Sequence, residues 1–189
     1  MITVNKNEPI GTRQKYCSNC GAELSIRKPD GDNMLRYVCD GCSTVHYENP
    51  KVVVGCIVEH EGSVLLCKRA IEPRYDYWTV PAGFMELAET LAAGAARETF
   101  EEACAQLELG PLFAVVDVVR AGQVHVFFRG TLINGEHKAG PESLDTQLFK
   151  PDEIPWDEIA FVSGKIALKR WLEYLDNGDE TVHYAQVTD

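Results

Sequence analysis

Four of the chain's seven cysteines constrain its folding more than any other feature. They stand as Cys17-Ser-Asn-Cys20 and Cys39-Asp-Gly-Cys42, two Cys-x-x-Cys turns separated by 18 residues, with Gly21 and Gly41 beside them. Two such turns can bring four thiolates tetrahedrally around one Zn²⁺. A site with four protein ligands has no open position, so its role is structural; redox-active or merely buried cysteines are the alternative. Between the pairs lie two strand-like pieces, Leu24–Arg27 and Leu35–Val38, joined by a turn at Pro29-Asp30-Gly31. A segment this short needs the metal in order to fold. His46, just beyond, is either a stray zinc ligand or a linker residue, and reads as the latter because four cysteines already complete the site.

From Lys51 the pattern becomes that of strands. Lys51–Glu59 is rich in β-branched residues, His60-Glu61-Gly62 turns the chain, and Ser63–Arg69 returns as a hairpin arm. Cys56 and Cys67 fall in these apolar runs and read as buried small residues. Lys68 and Arg69 point to opposite faces of their strand, so only one can face a site. Arg69 is a candidate diphosphate contact or a solvated strand end. Glu72–Trp78 is an aromatic loop containing Arg74, Tyr75 and Tyr77. Gly110-Pro111 breaks the chain, after which Leu112–Val119 and Val124–Leu132 form a second hairpin about Ala121-Gly122. Asp117, Arg120, Gln123 and His125 are its polar residues. Asn134–Asp145 is a polar loop, Ser163–Leu175 an amphipathic helix, and the last dozen residues read as frayed. Met1–Tyr16 is polar and expected to be mobile.

Between the hairpins, Ala88–Gln106 has helix-forming composition: alanines, leucines and glutamates, without proline. On that helix Glu98, Glu101 and Glu102 lie at i, i+3 and i+4 and share one face. Carboxylates so close repel one another unless a cation stands between them, and their oxygens suit Mg²⁺ or Mn²⁺. A solvated acidic face is the plain alternative. Arg97 can reach back to Glu86 or Glu89.

The spacing goes further. Gly83, five residues, Glu89, seven residues, then Arg97-Glu98-Thr99-Phe100-Glu101-Glu102 resembles the signature of the Nudix hydrolases at every charged position. It departs at Thr99, where an aliphatic residue is usual, and at Cys104, where glycine is usual. The resemblance implies an α+β fold: an α/β/α sandwich around a mixed β-sheet, preceded here by a small β zinc ribbon. It divides the chain into a ribbon at 1–48 and a hydrolase domain at 49–189. It also implies metal-dependent hydrolysis of a nucleoside diphosphate linked to another group. Glu98 and Glu102 are then the principal ligands of Mg²⁺ or Mn²⁺. Glu101 is a ligand or a ligand's partner, and Ala82 gives a backbone carbonyl. Either Glu98 or Glu142, from the late loop, is the base; Glu136 is a further loop candidate. Arg97 with Glu89 holds the loop onto the helix. Arg69, Arg74, Tyr77 and Phe84 are candidates for binding the nucleotide.

A ribbon ahead of such a domain is similar to the bacterial NADH pyrophosphatases, but their serine-glutamine-proline-tryptophan-proline motif is missing. NPKVVVGCIVEHEGSVLLCKRAIEP, WTVPAGFMELAET and GPESLDTQLFKPDEIP resemble the plant ribbon-containing enzymes that cleave FAD, a group also active on ADP-ribose. FAD, giving FMN and AMP, is therefore the expected substrate, with ADP-ribose or NADH as alternatives. A regulatory module without hydrolysis is the reading from another class, against which all three helix carboxylates count. A net charge of −11 argues against nucleic-acid and anionic-membrane partners. The start, MITVNKNEPIGTRQK, lacks the apolar core of a secretion signal, and paired Cys-x-x-Cys turns suit a reducing compartment, so cytoplasmic residence is expected. A homodimer is implied by the resemblance.

Overall fold

A computed structural model describes residues 14–188. The expectation of a mobile start falls mostly on residues 1–13, outside the described residues. Contacts divide the chain into two compact units meeting at Pro50–Lys51.

In the first unit, β1 (Leu24–Arg27), β2 (Arg36–Cys39) and β3 (Val45–His46) form a three-stranded antiparallel sheet. The turn after β1 closes with Asp32 N–H donating to the Pro29 carbonyl. Among the described residues of this unit the buried apolar ones are Cys17, Tyr37, Val38 and Cys39, too few to hold the sheet alone.

The second unit contains β4 (Lys51–His60), β5 (Ser63–Arg69), β6 (Trp78–Thr79), β7 (Ala82–Phe84), α1 (Leu91–Ala103), β8 (Leu107–Val118), β9 (Gln123–Leu132), β10 (Ser143–Phe149), α2 (Val162–Asn177) and β11 (His183–Val187). The main sheet runs β10-β5-β4-β9-β8-β11, with β6 and β7 paired to β5 and β4. It is mixed, because β4–β9 and β8–β11 are parallel and the other pairs antiparallel. Alternation along the strands assigns each face to one helix. Ile57, Val64 and Leu66 pack with Ala167, Leu168 and Trp171 of α2. Val54, Cys56, Val58, Leu65 and Cys67 pack with Ala95 and Ala103 of α1. Both cysteines are buried small residues, as their apolar runs imply.

The β4–β5 hairpin turns through Glu61 and Gly62, both with positive φ, as a two-residue loop between right-twisted strands requires. The strands pair directly only at this end, through Glu59–Val64 and His60–Ser63. Further along β6 pairs with β5 and β7 with β4, bringing Ala82 and Gly83 onto the sheet.

Three boundaries differ from the sequence reading. Gly110-Pro111 does not break the chain. Both lie inside β8, where register shifts between Leu109 and Leu112 and between Leu112 and Ala114 free Pro111 from supplying a ladder N–H. The C-terminal residues are not frayed throughout: β11 pairs with Ala114–Val118. Buried Arg170 of α2 clips the approach to β11, donating to the carbonyls of Asp179 (2.7 Å) and Thr181 (3.0 Å). The acidic helix is shorter than its composition suggests. It begins after Thr90, whose hydroxyl accepts from Ala93 N–H at 3.1 Å, and ends at Cys104 in the left-handed conformation, φ 47°.

Cys104 thus adopts the backbone of a glycine C-cap while carrying a Cβ. Cys104→Gly is expected to stabilise the protein by about 1 kcal/mol, raising the melting temperature by roughly 2–4 °C. An unchanged or lower melting temperature would contradict this account of the helix exit.

Candidate active site and metal centre

The four expected sulfurs gather. One ligand atom from each of Cys17, Cys20, Cys39 and Cys42 lies within 4.8 Å of every other. The Cys17–Cys42 and Cys20–Cys39 sulfur separations are 3.7 and 3.4 Å. Tetrahedral zinc with bonds of about 2.3 Å sets sulfurs roughly 3.8 Å apart, so the residues fit the ion. Asn19 and Cys42 N–H groups point at the sulfurs of Cys17 and Cys39, both at 3.4 Å. Thr44 Oγ1 lies 3.0 Å from Cys42 Sγ, and this contact chiefly pulls the Cys42 thiol down to about 5, favouring thiolate. His46 is not a bare linker residue: it lies on β3 with Nε2 3.3 Å from Cys17 Sγ, close enough to donate to a thiolate.

In the second unit a cleft of about 930 Å³ opens over the start of β9, the first turn of α2 and the acidic face of α1. Glu98, Glu101, Glu102, Glu142, Ala82, Arg69 and Phe84 all line it; Arg74, Tyr77 and Glu136 do not. Arg74 instead sits 5.4 Å over the Tyr77 ring.

Glu102 is 6% exposed and accepts from Ala82 N–H at 3.1 Å. Burial pushes its carboxyl up to about 8, and Glu98 and Glu142 push the same way. Glu98 is half-buried and is also raised, chiefly by burial. Arg97 organises the rest. It donates from Nε and Nη2 to Glu89 (3.0 and 2.8 Å), from Nη2 to the Phe84 carbonyl (3.1 Å), and from Nη1 to Glu98 (2.8 Å) and Glu101 (2.9 Å). Glu89, drawn down to about 2 by Arg97, also accepts from Glu86 N–H at 2.6 Å, tying the loop to the helix. Arg97 does not reach Glu102, which has no ion pair among the described residues; the charge of nearby Arg69 draws its carboxyl down only against the larger effect of burial. A buried carboxylate in that condition is costly unless a cation approaches. Its oxygens, with those of Glu98 and the nearby Ala82 backbone, are the donor type that hard divalent ions take. The residues therefore fit Mg²⁺ or Mn²⁺.

Two glycines set the distances. A Cβ on Gly83 would collide with the Glu98 carboxylate. Gly83→Ala is accordingly expected to displace Glu98 and lower kcat/KM by about 10², with little change in melting temperature. Full activity in that variant would remove Glu98 from the account. Gly140 seats the late loop on the end of α1: its N–H donates to the Glu102 carbonyl at 2.9 Å, and any Cβ there would strike the Glu101 carbonyl. This contact, absent from the sequence reading, brings the neighbouring Glu142 to the cleft.

Strand alternation also separates Lys68 from Arg69. Lys68 pairs with Asp76 at 2.9 Å. Arg69 is 8% exposed, and its Nε donates to the Pro73 carbonyl at 2.9 Å. Its guanidinium lies 5.0 Å from the Phe161 ring centroid and has no ion pair among the described residues. Of the polar residues of the second hairpin, Gln123 and His125 line the cleft, while Asp117 accepts from Tyr184. Gln123 and His125 share a strand face at i, i+2, a signal present in the sequence. Their partner Ser163 carried no such signal.

Burial holds the His125 imidazole down to about 4. The unfolded chain protonates near pH 6.5, so between about 6.5 and 4 it binds the extra proton and the folded state does not. The contribution of His125 to folding stability is therefore lost as pH drops through that interval, so the wild type is expected to lose stability relative to His125→Asn there, whatever the opposite linkage of the raised Glu102 carboxyl adds to both proteins. Equal slopes in urea titrations of the two proteins would contradict this.

The comparisons agree with the geometry. Residues 15–48 match the family model described as Nudix N-terminal, a zinc ribbon, and residues 49–172 match the NUDIX domain. The chain belongs to the Nudix hydrolase family. It is similar to the crystal structure of a NUDIX hydrolase from Nitrosomonas europaea, with TM-score 0.89, 48% identity, and coverage of 93% of this chain and 100% of that one. It is 30% identical over 124 residues to an ADP-ribose pyrophosphatase of Methanocaldococcus jannaschii, covering 64% of this chain and 72% of that protein. It is 28% identical over 145 residues to the NAD-capped RNA hydrolase NudC of Photobacterium profundum, where 75% of this chain spans 52% of the relative, about half its length.

Proposed function

We propose that the chain hydrolyses the diphosphate bond of a dinucleotide, FAD above all, releasing FMN and AMP. The observation that carries this reading is that the acidic face of α1, including buried Glu102, opens into the same cleft as buried Arg69, which has no ion pair among the described residues. The cleft volume lies at the upper end of the range for small-molecule sites, as a dinucleotide needs.

Glu98, Glu102 and the Ala82 carbonyl would hold the divalent ion, Mg²⁺ or Mn²⁺, with Glu101 as ligand or ligand's partner. When bound, such an ion offsets the charge of the diphosphate and acidifies a water. Arg97 fixes the orientation of Glu98 and Glu101. Arg69 faces the negative charge that builds on the diphosphate. Glu142, in the cleft and in no ion pair with an arginine among the described residues, takes the proton from the attacking water. Oxygen from water bonds to one phosphorus, the P–O bond to the other phosphate breaks, and that phosphate departs.

The reading takes residues 1–48 as a structural ribbon and 49–189 as the hydrolase domain, in a cytoplasmic homodimer. ADP-ribose is the second candidate, favoured by the name of the Methanocaldococcus relative. Kinetics on FAD, ADP-ribose, NADH and a nucleoside triphosphate with Mg²⁺ or Mn²⁺ test the choice. The highest kcat/KM is expected for FAD. A preference for ADP-ribose or NADH would replace FAD as substrate, and no turnover of any would leave a binding module.

A further inference from the structure

One wall of the cleft has no part in the hydrolytic step. Gln123, His125 and Phe127 alternate along β9 and line the cleft together. His125 pairs across β4 with Val53, which pairs in turn with Phe84 on β7. Residues paired across neighbouring strands share a face, so Phe84, Val53 and His125 form a row, spanning on the order of 10 Å across two strand spacings. Phe84 is 49% exposed at one end of that row.

The other end is locked by a hydrogen-bond chain. Gln123 Oε1 lies 2.9 Å from His125 Nε2, and Ser163 Oγ, 4% exposed, lies 2.9 Å from His125 Nδ1. A carbonyl oxygen only accepts, so His125 Nε2 carries the proton and Nδ1 accepts from the Ser163 hydroxyl. The chain then ends at Gln123 Nε2, whose two hydrogens have no partner among the described residues. Ser163 and Gly164 add backbone N–H groups from the first turn of α2, which has no side-chain cap. The wall thus offers donors, and its imidazole acceptor is already taken.

We propose that this wall seats the fused ring of the substrate's non-adenylyl half and selects a ring bearing carbonyl acceptors over an amino-bearing one. The inference rests on the proposed cleavage of FAD. The ring lies along the Phe84–Val53–His125 row, and Gln123 Nε2 donates to a ring carbonyl. Ser163 holds His125, and through it Gln123, in the donating orientation.

Calorimetric titration with FMN and with AMP tests this on wild type, Gln123→Met and Ser163→Ala, each confirmed folded by its melting curve. FMN affinity is expected to fall at least tenfold in Gln123→Met and several-fold in Ser163→Ala, with AMP affinity unchanged within twofold. Unchanged FMN affinity, equal loss for both ligands, loss for AMP alone, or no FMN binding by the wild type would each overturn it. FAD hydrolysis by the same wild-type preparation separates the two claims. If FAD is cleaved while FMN affinity survives both substitutions, only the ring seat fails; if FAD is not cleaved, the substrate reading fails first.

Discussion

Glu98→Gln and Glu102→Gln should each lower metal-dependent turnover on the order of 10³-fold, corresponding to about 4 kcal/mol of transition-state stabilisation. Both substitutions keep the shape of the side chain and remove the charge that holds a divalent ion. They should differ in stability. Glu102 is buried, and burial raises its carboxyl to about 8, so the charged form is disfavoured in the folded protein without metal. A neutral amide avoids that cost and can still accept from Ala82 N–H. Glu102→Gln is therefore expected to melt at or above the wild-type temperature at pH 8 while losing activity. Glu98→Gln, whose carboxyl also accepts from Arg97, should show a smaller change. Near-normal turnover in both variants would contradict the site.

Removing zinc should have the largest structural effect. Among its described residues the first unit has only a handful of buried apolar ones, two of them cysteines of the four-sulfur cluster. Structural zinc contributes about 10–16 kcal/mol in comparably small domains. A chelator, or Cys39→Ser, is expected to abolish amide protection across residues 14–48 while Lys51–Val187 keeps its own. Zinc analysis and hydrogen exchange measured together check this. Retained protection in zinc-free protein would show that the ribbon folds on packing alone.

Much of this was legible from local pattern. The cysteine spacing placed the four sulfurs, and the i, i+3, i+4 glutamates placed the carboxylates, because each depends on a turn or helix period. The hairpin at Glu61-Gly62 followed from turn chemistry. What failed to show was contact over distance. Pro111 looked like a breaker because its bulge depends on pairing with β9. The C-terminal strand looked frayed because the Arg170 clip is formed by a buried side chain on a preceding helix. Gly140 looked like an ordinary loop glycine until it met the carbonyl end of α1. Ser163 joined His125 only once α2 was laid across the start of β9. Arg74 and Tyr77 stand near the site in sequence, yet neither lines the cleft.

Manganese titration followed by electron paramagnetic resonance tests the central claim most directly, since the signal of free aqueous Mn²⁺ diminishes as protein takes up the ion. The wild type is expected to deplete that signal, and Glu98→Gln/Glu102→Gln to leave it undiminished while the melting curve stays cooperative. Equal uptake by the two proteins would contradict the assignment of the α1 carboxylates as the metal site.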